Sequence, residues 1–559
     1  MKGLGTGAKV FAVQSVSEPG VSDNLQAAVR DLRTAGEAGD EVRVYEIAKA
    51  GLDRGLRHPL LFQARANWYW HQGLYYDALV DLEAALNFAP RNPLFLRAAG
   101  ECLLKLGVWN AASRAFGGAV ENAPNMVQAH YLRGLSFQMC GERQAATAAH
   151  KRAIELMPQH ADALGSLALI SAGEGSVDNV RFYAGRAHEI DSNQPTAHIA
   201  LALQELREGA MDAARIRVEQ LLRTARFGED PRANDVLRDI GDCFAQTGNF
   251  PFAFQIYTAV NRRRRTIHAR RFAKSRSSIE VAAQSSYFER SPPWPPAQVS
   301  PAQTDAPASH VFILGFARTG TTLLETVLAS NAHVTALDEK DCFPDQAKAL
   351  LISEEGMETL AALDEISLAR LRDGYWEKVR KFGRPIAGRV FVDKWPFNSR
   401  RLPLIARLFP RAKVLFMTRD PRDVVLSCFR RSFVMNSDTF EFLELDDCAR
   451  HYVGIMNLVA AAREKLPLNV LAVRYEELVV DFDATVSAIC DFIGLGWDDA
   501  MRDFSHAADG TVDLNAQSGK QVRIGLYSGG SGQWRHFAEQ LAPAFPLLAP
   551  WVERLGYGD

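Results

Sequence analysis

The chain has 559 residues, 47% apolar and 23% charged, with a formal net charge of −2. That length predicts two or more domains, and the composition is that of a globular chain. The near-neutral charge excludes generic affinity for nucleic acid or an anionic membrane. Cys102, Cys140, Cys243, Cys342, Cys428, Cys448 and Cys490 are scattered, with no CxxC pair or metal-ligand spacing. Reduced thiols in the cytoplasm are expected. No run approaches the ~20 apolar residues of a membrane span, and Met1 to Gly20 show no signal-peptide core.

The N-terminal half is periodic. Glycine recurs at 39, 73, 107, 141, 175 and 209, always 34 residues apart. With glycine at ~7% of positions, five further hits at one period arise by chance on the order of once in 10⁶. Ala78, Ala112, Ala146 and Ala214 lie five residues after a register glycine. Ala85, Ala119, Ala153 and Ala187 lie twelve after, and Pro90, Pro124 and Pro158 seventeen after. A 34-residue period is that of tetratricopeptide repeats. Glycine suits the turn between two helices, alanine lets them approach, and proline ends the second. A unit around Gly248 and Ala253 is offset by five residues, which predicts an insertion near 227–234. About six to seven repeats over 20–261 are expected, stacked into an all-α solenoid. Its concave face would take a peptide or protein; a spacer or homodimer scaffold is the other reading.

Residues 262–307 follow as a basic helix and linker. Arg262–Arg265, Arg270, Arg271 and Lys274 read as the solvated face of a tethering helix, because no aromatic platform for nucleic acid accompanies them. The proline-rich stretch 291–308 suits a linker.

From His310 apolar runs alternate with helical pattern. Val311–Leu314, Val390–Val392, Val414–Met417 and Val470–Val473 read as buried strands of a parallel sheet, so 308–559 is expected to be a P-loop-like α/β domain. Ligands of such sheets bind at the carboxyl ends of the strands. After the first run come Gly315, Phe316, Ala317, Arg318, Thr319, Gly320, Thr321 and Thr322, then a helical stretch. A strand, a glycine-containing turn and a helix N-terminus make an anion cradle. The spacing is that of the nucleoside-triphosphate loop G-x-x-x-x-G-K-[ST], with Thr321 at the lysine position. After the third run come Arg419, then Ser427 and Arg431, the last two spaced to share a helix face. Arginine's planar fork suits phosphate; the competing reading is a surface salt-bridge cluster with Asp420 as helix cap.

In this order the segments resemble those of sulfotransferases that use 3′-phosphoadenosine-5′-phosphosulfate (PAPS). Gly315–Thr322 resembles the 5′-phosphosulfate loop and Arg419–Ser427 the 3′-phosphate segment. Arg474-Tyr475-Glu476-Glu477-Leu478 resembles the family's RYE-D/E-L stretch. Gln521-Val522-Arg523 and Gly532-Gln533-Trp534-Arg535 resemble its cofactor-covering loop. The chain resembles a bacterial tetratricopeptide-repeat sulfotransferase whose catalytic domain is similar to protein-tyrosine sulfotransferases. The resemblance implies that Gly315, Arg318, Thr319, Gly320, Thr321 and Thr322 hold the phosphosulfate. It implies that Arg419, Ser427 and Arg431 hold the 3′-phosphate and that Tyr475 lines the nucleotide site. Ser518, Gln521, Val522, Arg523 and Trp534 would belong to the closing loop. Glu339 stands where these relatives carry the catalytic base, and Lys394, in Asp393-Lys394-Trp395-Pro396, matches their catalytic lysine. Gln533 stands where they have lysine, and Lys340-Asp341 replaces their acceptor-gripping arginine stretch.

The chemistry asks for a base, a cation on the leaving oxygen and donors on the equatorial oxygens. Glu339 fits the first, with Asp338 and His333 as competitors. Lys394 and Arg318 fit the second; loop amides with Thr321 and Thr322 fit the third. A sulfuryl group carries less charge than a γ-phosphoryl group, so no metal is expected. The acceptor stays open between a protein tyrosine, a carbohydrate hydroxyl and a small phenol. A P-loop kinase or ATPase, and a non-catalytic scaffold with a nucleotide-binding domain, are the rival readings.

Overall fold

A computed structural model describes residues 23–224, 227, 230–273, 277–296, 306–504 and 528–558. The chain divides into two compact units, 1–247 with 263–274, and 248–262 with 275–559.

The first unit is a tetratricopeptide-type solenoid. Its helices run in antiparallel pairs such as Pro59–His71 with Tyr75–Phe88, Pro93–Leu106 with Trp109–Asn122, and Val127–Met139 with Arg143–Leu156. Six such pairs are present among the described residues, from Asp23–Glu37 to Met211–Leu222, and the helix Pro231–Gln246 follows them. The register glycines from Gly39 to Gly209 all have φ between +71 and +80°. A side chain is disfavoured in that left-handed region, so glycine marks the turn inside each pair. The register alanines at both positions are fully buried where helices cross. Pro90, Pro124 and Pro158 each stand two residues beyond the second helix of a pair. The extra residues of the offset unit lie in the connection 223–230, before the helix Pro231–Gln246. Of that connection, 225–226 and 228–229 are outside the described residues.

The expectation of a solvated basic face does not hold throughout. Arg262–Arg265 fall inside the helix Phe250–Phe272, and Arg264 is buried. Arg263 Nε donates to the Phe227 carbonyl at 3.0 Å. Of the expected linker, 297–305 lies outside the described residues. Trp294 packs in the core of the second unit beside Tyr287 and Phe288 of the helix Ser277–Arg290.

The second unit is built on five parallel strands: β1 (Ser309–Gly315), β2 (Val334–Asp338), β3 (Val390–Lys394), β4 (Lys413–Thr418) and β5 (Asn469–Arg474), in the order β2-β3-β1-β4-β5. Four of them coincide with the apolar runs. β2 is the addition: it is short, and it directly precedes Glu339. Alternate side chains bury on opposite faces, Val311 and Ile313 on one, Phe312 and Leu314 on the other. Burial on both faces is why β1, β3 and β4 read as unbroken apolar runs. β5 is an edge strand where Val473 is buried but Val470, Leu471 and Ala472 are not, so the expected buried strand does not hold there. The register pairs Ile313 with Lys394 and Asp338 with Lys394 across neighbouring strands, so the loops after β1, β2 and β3 emerge together at one sheet edge.

Candidate active site

The turn after β1 is held by close packing. A Cβ on Gly315 would lie 2.6 Å from Thr319 Oγ1 and 2.7 Å from the Met417 carbonyl oxygen, so only glycine lets the turn lie against β4. Ser399 Oγ accepts from the Gly315 N–H at 3.0 Å and donates to its carbonyl at 2.6 Å. Thr319 Oγ1 donates to the Phe316 carbonyl at 2.7 Å. Arg318 is non-glycine with φ +70°, a conformation that costs roughly 1–2 kcal/mol. Such strain is retained where surrounding structure enforces it. Gly320 caps the helix Thr321–Ala329 at φ +99°, and a Cβ there would strike Tyr475 Cδ2 at 2.5 Å. Thr321 and Thr322 open that helix, where the first N–H groups have no intrahelical acceptor.

Arginines converge on this turn. Arg318 Nε donates to Ser427 Oγ at 3.1 Å. Arg419 Nη1 donates to the Arg318 carbonyl at 3.0 Å, Nη2 to the Gly530 carbonyl, and the guanidinium lies 4.7 Å over the Tyr475 ring. Burial first, then the charge of Arg431 with that of Arg419 and Arg430, pushes the Arg318 pKa down to about 10. Guanidiniums gathered in this way favour an anion beside them, and Arg419 Nε is buried without a hydrogen-bond partner. Asp420 caps the helix Pro421–Arg430 through the Arg422 N–H, as read from sequence. The shared helix face of Ser427 and Arg431 does not form. The helix ends at Arg430, and Arg431 is extended at φ −101°, ψ 156°. Its charge still reaches Arg318.

A C-terminal segment closes on the same helix. Asp423 accepts the Gly532 N–H at 2.6 Å and the Trp534 N–H at 2.9 Å. Trp534 is buried beneath Arg422, at 3.8 Å, with Arg535 on it at 4.8 Å. It is a packing residue of this segment. Ser518, Gln521, Val522 and Arg523 lie outside the described residues.

One strand over, Lys394 ends β3 with 1% of its side chain exposed. Its Nζ meets Glu339 Oε1 at 3.0 Å, Glu325 Oε2 at 3.2 Å and the Asp338 carboxylate. Burial opposes the charge, but Glu325, Glu339 and Asp338 hold the Lys394 pKa above its ordinary value. Glu339 has φ +48°, and its N–H donates to the Lys394 carbonyl at 2.8 Å. Its side chain is 53% exposed against 29% for Asp338 and 6% for Glu325, so Glu339 is the carboxylate open to a reactant. Burial above all pushes the Glu325 carboxyl up to about 8. Glu325 escapes a motif reading because it stands within an apolar helix; its signal was a charge among buried neighbours. His333 is exposed at the start of β2, the far end from Asp338, and takes no part. Asp393 faces away, accepting the Tyr375 hydroxyl at 2.6 Å. Asp341, in the stretch that departs from the tyrosine-sulfating pattern, pairs with Arg401 at 2.7 Å and Lys348 at 2.7 Å.

Residues 310–499 match the model of the sulfotransferase family. The second unit therefore carries a domain of that family. Over 259 residues the chain is 27% identical to protein-tyrosine sulfotransferase 2 of Gallus gallus, covering 44% of this chain and 69% of the relative. Over 254 residues it is 26% identical to an uncharacterized protein of Aquifex aeolicus, covering 44% of this chain but 33% of the relative. The chain thus spans a third of that relative's length. Among solved structures, the sulfotransferase domain of the Synechococcus PCC 7002 olefin synthase aligns at TM-score 0.28 and 22% identity, over 43% of this chain and 91% of that one.

Proposed function

We propose that this protein is a PAPS-dependent sulfotransferase acting on a hydroxyl acceptor. The carrying observation is the convergence of Arg318, Arg419 and Ser427 beside a phosphate-type loop without its lysine, one strand from the Lys394–Glu339 pair. The loop from Gly315 to Thr322 would hold the phosphosulfate. Arg419, Ser427 and Arg431 would hold the 3′-phosphate, with Tyr475 beside the nucleotide. The unpartnered Arg419 Nε and the crowding of guanidiniums fit such a doubly anionic ligand.

When bound, PAPS supplies the sulfuryl group and leaves as 3′-phosphoadenosine-5′-phosphate. Glu339 accepts the proton of the acceptor hydroxyl as its oxygen bonds to sulfur. Lys394 and Arg318 stabilise the negative charge on the bridging oxygen as the sulfur–oxygen bond breaks. The amides and hydroxyls of Thr321 and Thr322 donate to the equatorial oxygens. Catalysis in this reading is positioning plus charge stabilisation. The transferred group's low charge removes the need for a divalent cation.

The solenoid is assigned to acceptor choice, because stacked repeats offer an extended concave surface. The match to a protein-tyrosine sulfotransferase supports a tyrosine acceptor, whereas Lys340-Asp341 and Gln533, which depart from the tyrosine-sulfating pattern, argue for another. All seven cysteines are free thiols, in keeping with a cytoplasmic setting. No helix among the described residues is long and apolar enough to cross a membrane.

The test is calorimetry in EDTA followed by transfer from radiolabelled PAPS to a tyrosine peptide, an oligosaccharide and a small phenol. 3′-Phosphoadenosine-5′-phosphate should bind far more tightly than ADP, and one acceptor class should gain label. Equal or tighter binding of ADP or ATP would return the chain to the kinase or ATPase reading.

A further inference from the structure

Lys394 has three N–H donors and three carboxyl neighbours, but these are not equivalent. Asp338 and Glu339 take hydrogen bonds from Nζ. Glu325 Oε2 lies 3.2 Å away without an aligned hydrogen bond, and it has no other partner. The three also differ in freedom. Asp338 ends a strand, and Glu339 follows it in the left-handed region with its side chain half in solvent. Glu325 is locked inside the helix Thr321–Ala329, one turn after Thr321, with a buried side chain. During transfer, Glu339 must turn to the acceptor and the ammonium to the leaving oxygen. Glu325 is the neighbour that stays.

We infer that Glu325 is a positioning residue for the proposed reaction, anchoring the Lys394 ammonium from the buried side and tying it to the phosphosulfate-loop helix. The inference rests on the sulfotransferase reading for its kinetic content, but the proton on Glu325 does not. Three carboxylates around one ammonium leave excess negative charge in a buried space, and a proton on the least solvated of them relieves it. That is Glu325, whose carboxyl is pushed up to about 8 by burial foremost. Against its helix, β1 presents Val311 and Ile313, β2 brings Asp338 with Glu339 after it, and β3 brings Lys394. The turn Asp499–Met501 contributes buried Met501 and keeps Asp499 exposed. No other charge faces Glu325 from the described elements. Below its pKa Glu325 is neutral and still seats Lys394 from the buried side, without holding its ammonium back from the leaving oxygen. As pH rises through that value Glu325 gains a charge, binds the ammonium harder, and holds it back from the leaving oxygen.

The test uses the full chain with Glu325→Ala and Glu325→Gln. The alanine variant should lose kcat on the order of 10–100-fold through misplacement of Lys394, with affinity for 3′-phosphoadenosine-5′-phosphate unchanged. The glutamine variant should lose less and should lack the alkaline fall in kcat shown by the wild type. Infrared spectra at neutral pH should show a protonated-carboxyl band in the wild type that disappears in Glu325→Gln. An unaltered pH profile in Glu325→Gln, full kcat in Glu325→Ala, or nucleotide affinity falling in step with kcat would overturn the assignment. A wild type with the band but no transfer from PAPS would overturn the sulfotransferase reading and keep Glu325 as the anchor of Lys394. A missing band would overturn Glu325 itself.

Discussion

Arg419 donates to two backbone carbonyls, those of Arg318 and Gly530, and keeps a buried Nε without a partner. It therefore ties the loop to the C-terminal segment and keeps one donor for the proposed ligand. Arg419→Ala should weaken 3′-phosphoadenosine-5′-phosphate by about 2 kcal/mol, roughly 30-fold in Kd, as read by calorimetry. A residue that merely braced the loop would change thermal stability and leave that Kd nearly intact. Glu339 differs, since it faces the acceptor through its exposed side chain. Glu339→Gln keeps the shape but cannot take a proton, so kcat should fall ~10²–10⁴-fold with nucleotide affinity little changed. Near-normal kcat in that variant would move the base to Asp338, the other carboxylate on Lys394 with solvent access.

At the scale of elements, the repeat turns isolate backbone strain from packing. Gly209 has φ +77° and nothing within 4 Å of where a Cβ would stand. Gly209→Ala should cost about 1 kcal/mol in urea unfolding, from the left-handed backbone alone. The helix Arg143–Leu156 carries a different liability. His150 is fully buried against Gly134, where a Cβ would come within 2.5 Å of its ring. Burial, with the charge of His160 adding, lowers its pKa to about 3. Above the unfolded value of ~6.5 the ring is neutral in both states and adds no pH dependence. Below it the unfolded chain binds a proton that the native ring refuses, so stability falls on acidification by about 1.4 kcal/mol per pH unit. Between pH 7 and 5, His150→Gln should remove about 2 kcal/mol of the loss seen in urea midpoints. Parallel curves for the two proteins would show that His150 is not the group responsible.

For the molecule as a whole, the second unit draws on residues well before its first strand. Phe254 stacks on Phe429 at 5.1 Å, and Asn261 Nδ2 donates to the Phe429 carbonyl at 2.8 Å. Val281, Tyr287, Phe288 and Trp294 are buried in its core. Each such side chain contributes roughly 1.5–3 kcal/mol on burial, and a domain's whole margin is about 5–15 kcal/mol. A fragment of residues 305–559 should thus fold poorly, whereas 248–559 should bind 3′-phosphoadenosine-5′-phosphate as the full chain does. Circular dichroism and calorimetry on the two fragments check this; a well-folded shorter fragment with intact binding would refute it.

The 34-residue glycine register, the four apolar runs and the order Gly315–Thr322, Arg419–Ser427, Arg474–Leu478 were legible because each depends on local rules. Those rules are turn conformation, helix approach, strand burial and the spacing of an anion loop. Glu339 and Lys394 were legible only through resemblance, since an isolated acid or lysine has no local signature. The buried set around Lys394 was decided by tertiary structure. Glu325 comes from a helix, Asp338 from a strand too short to stand out, and Lys394 from the strand between, and nothing in their spacing says they meet. The same holds for Arg431. Local periodicity puts it on a helix, but the helix stops one residue earlier, and the charge it shares with Arg318 arises from the packing of separate segments at one sheet edge. Sequence spacing carries contacts a turn or two away. Electrostatic crowding among residues roughly a hundred positions apart exists only once the sheet has brought their strands side by side.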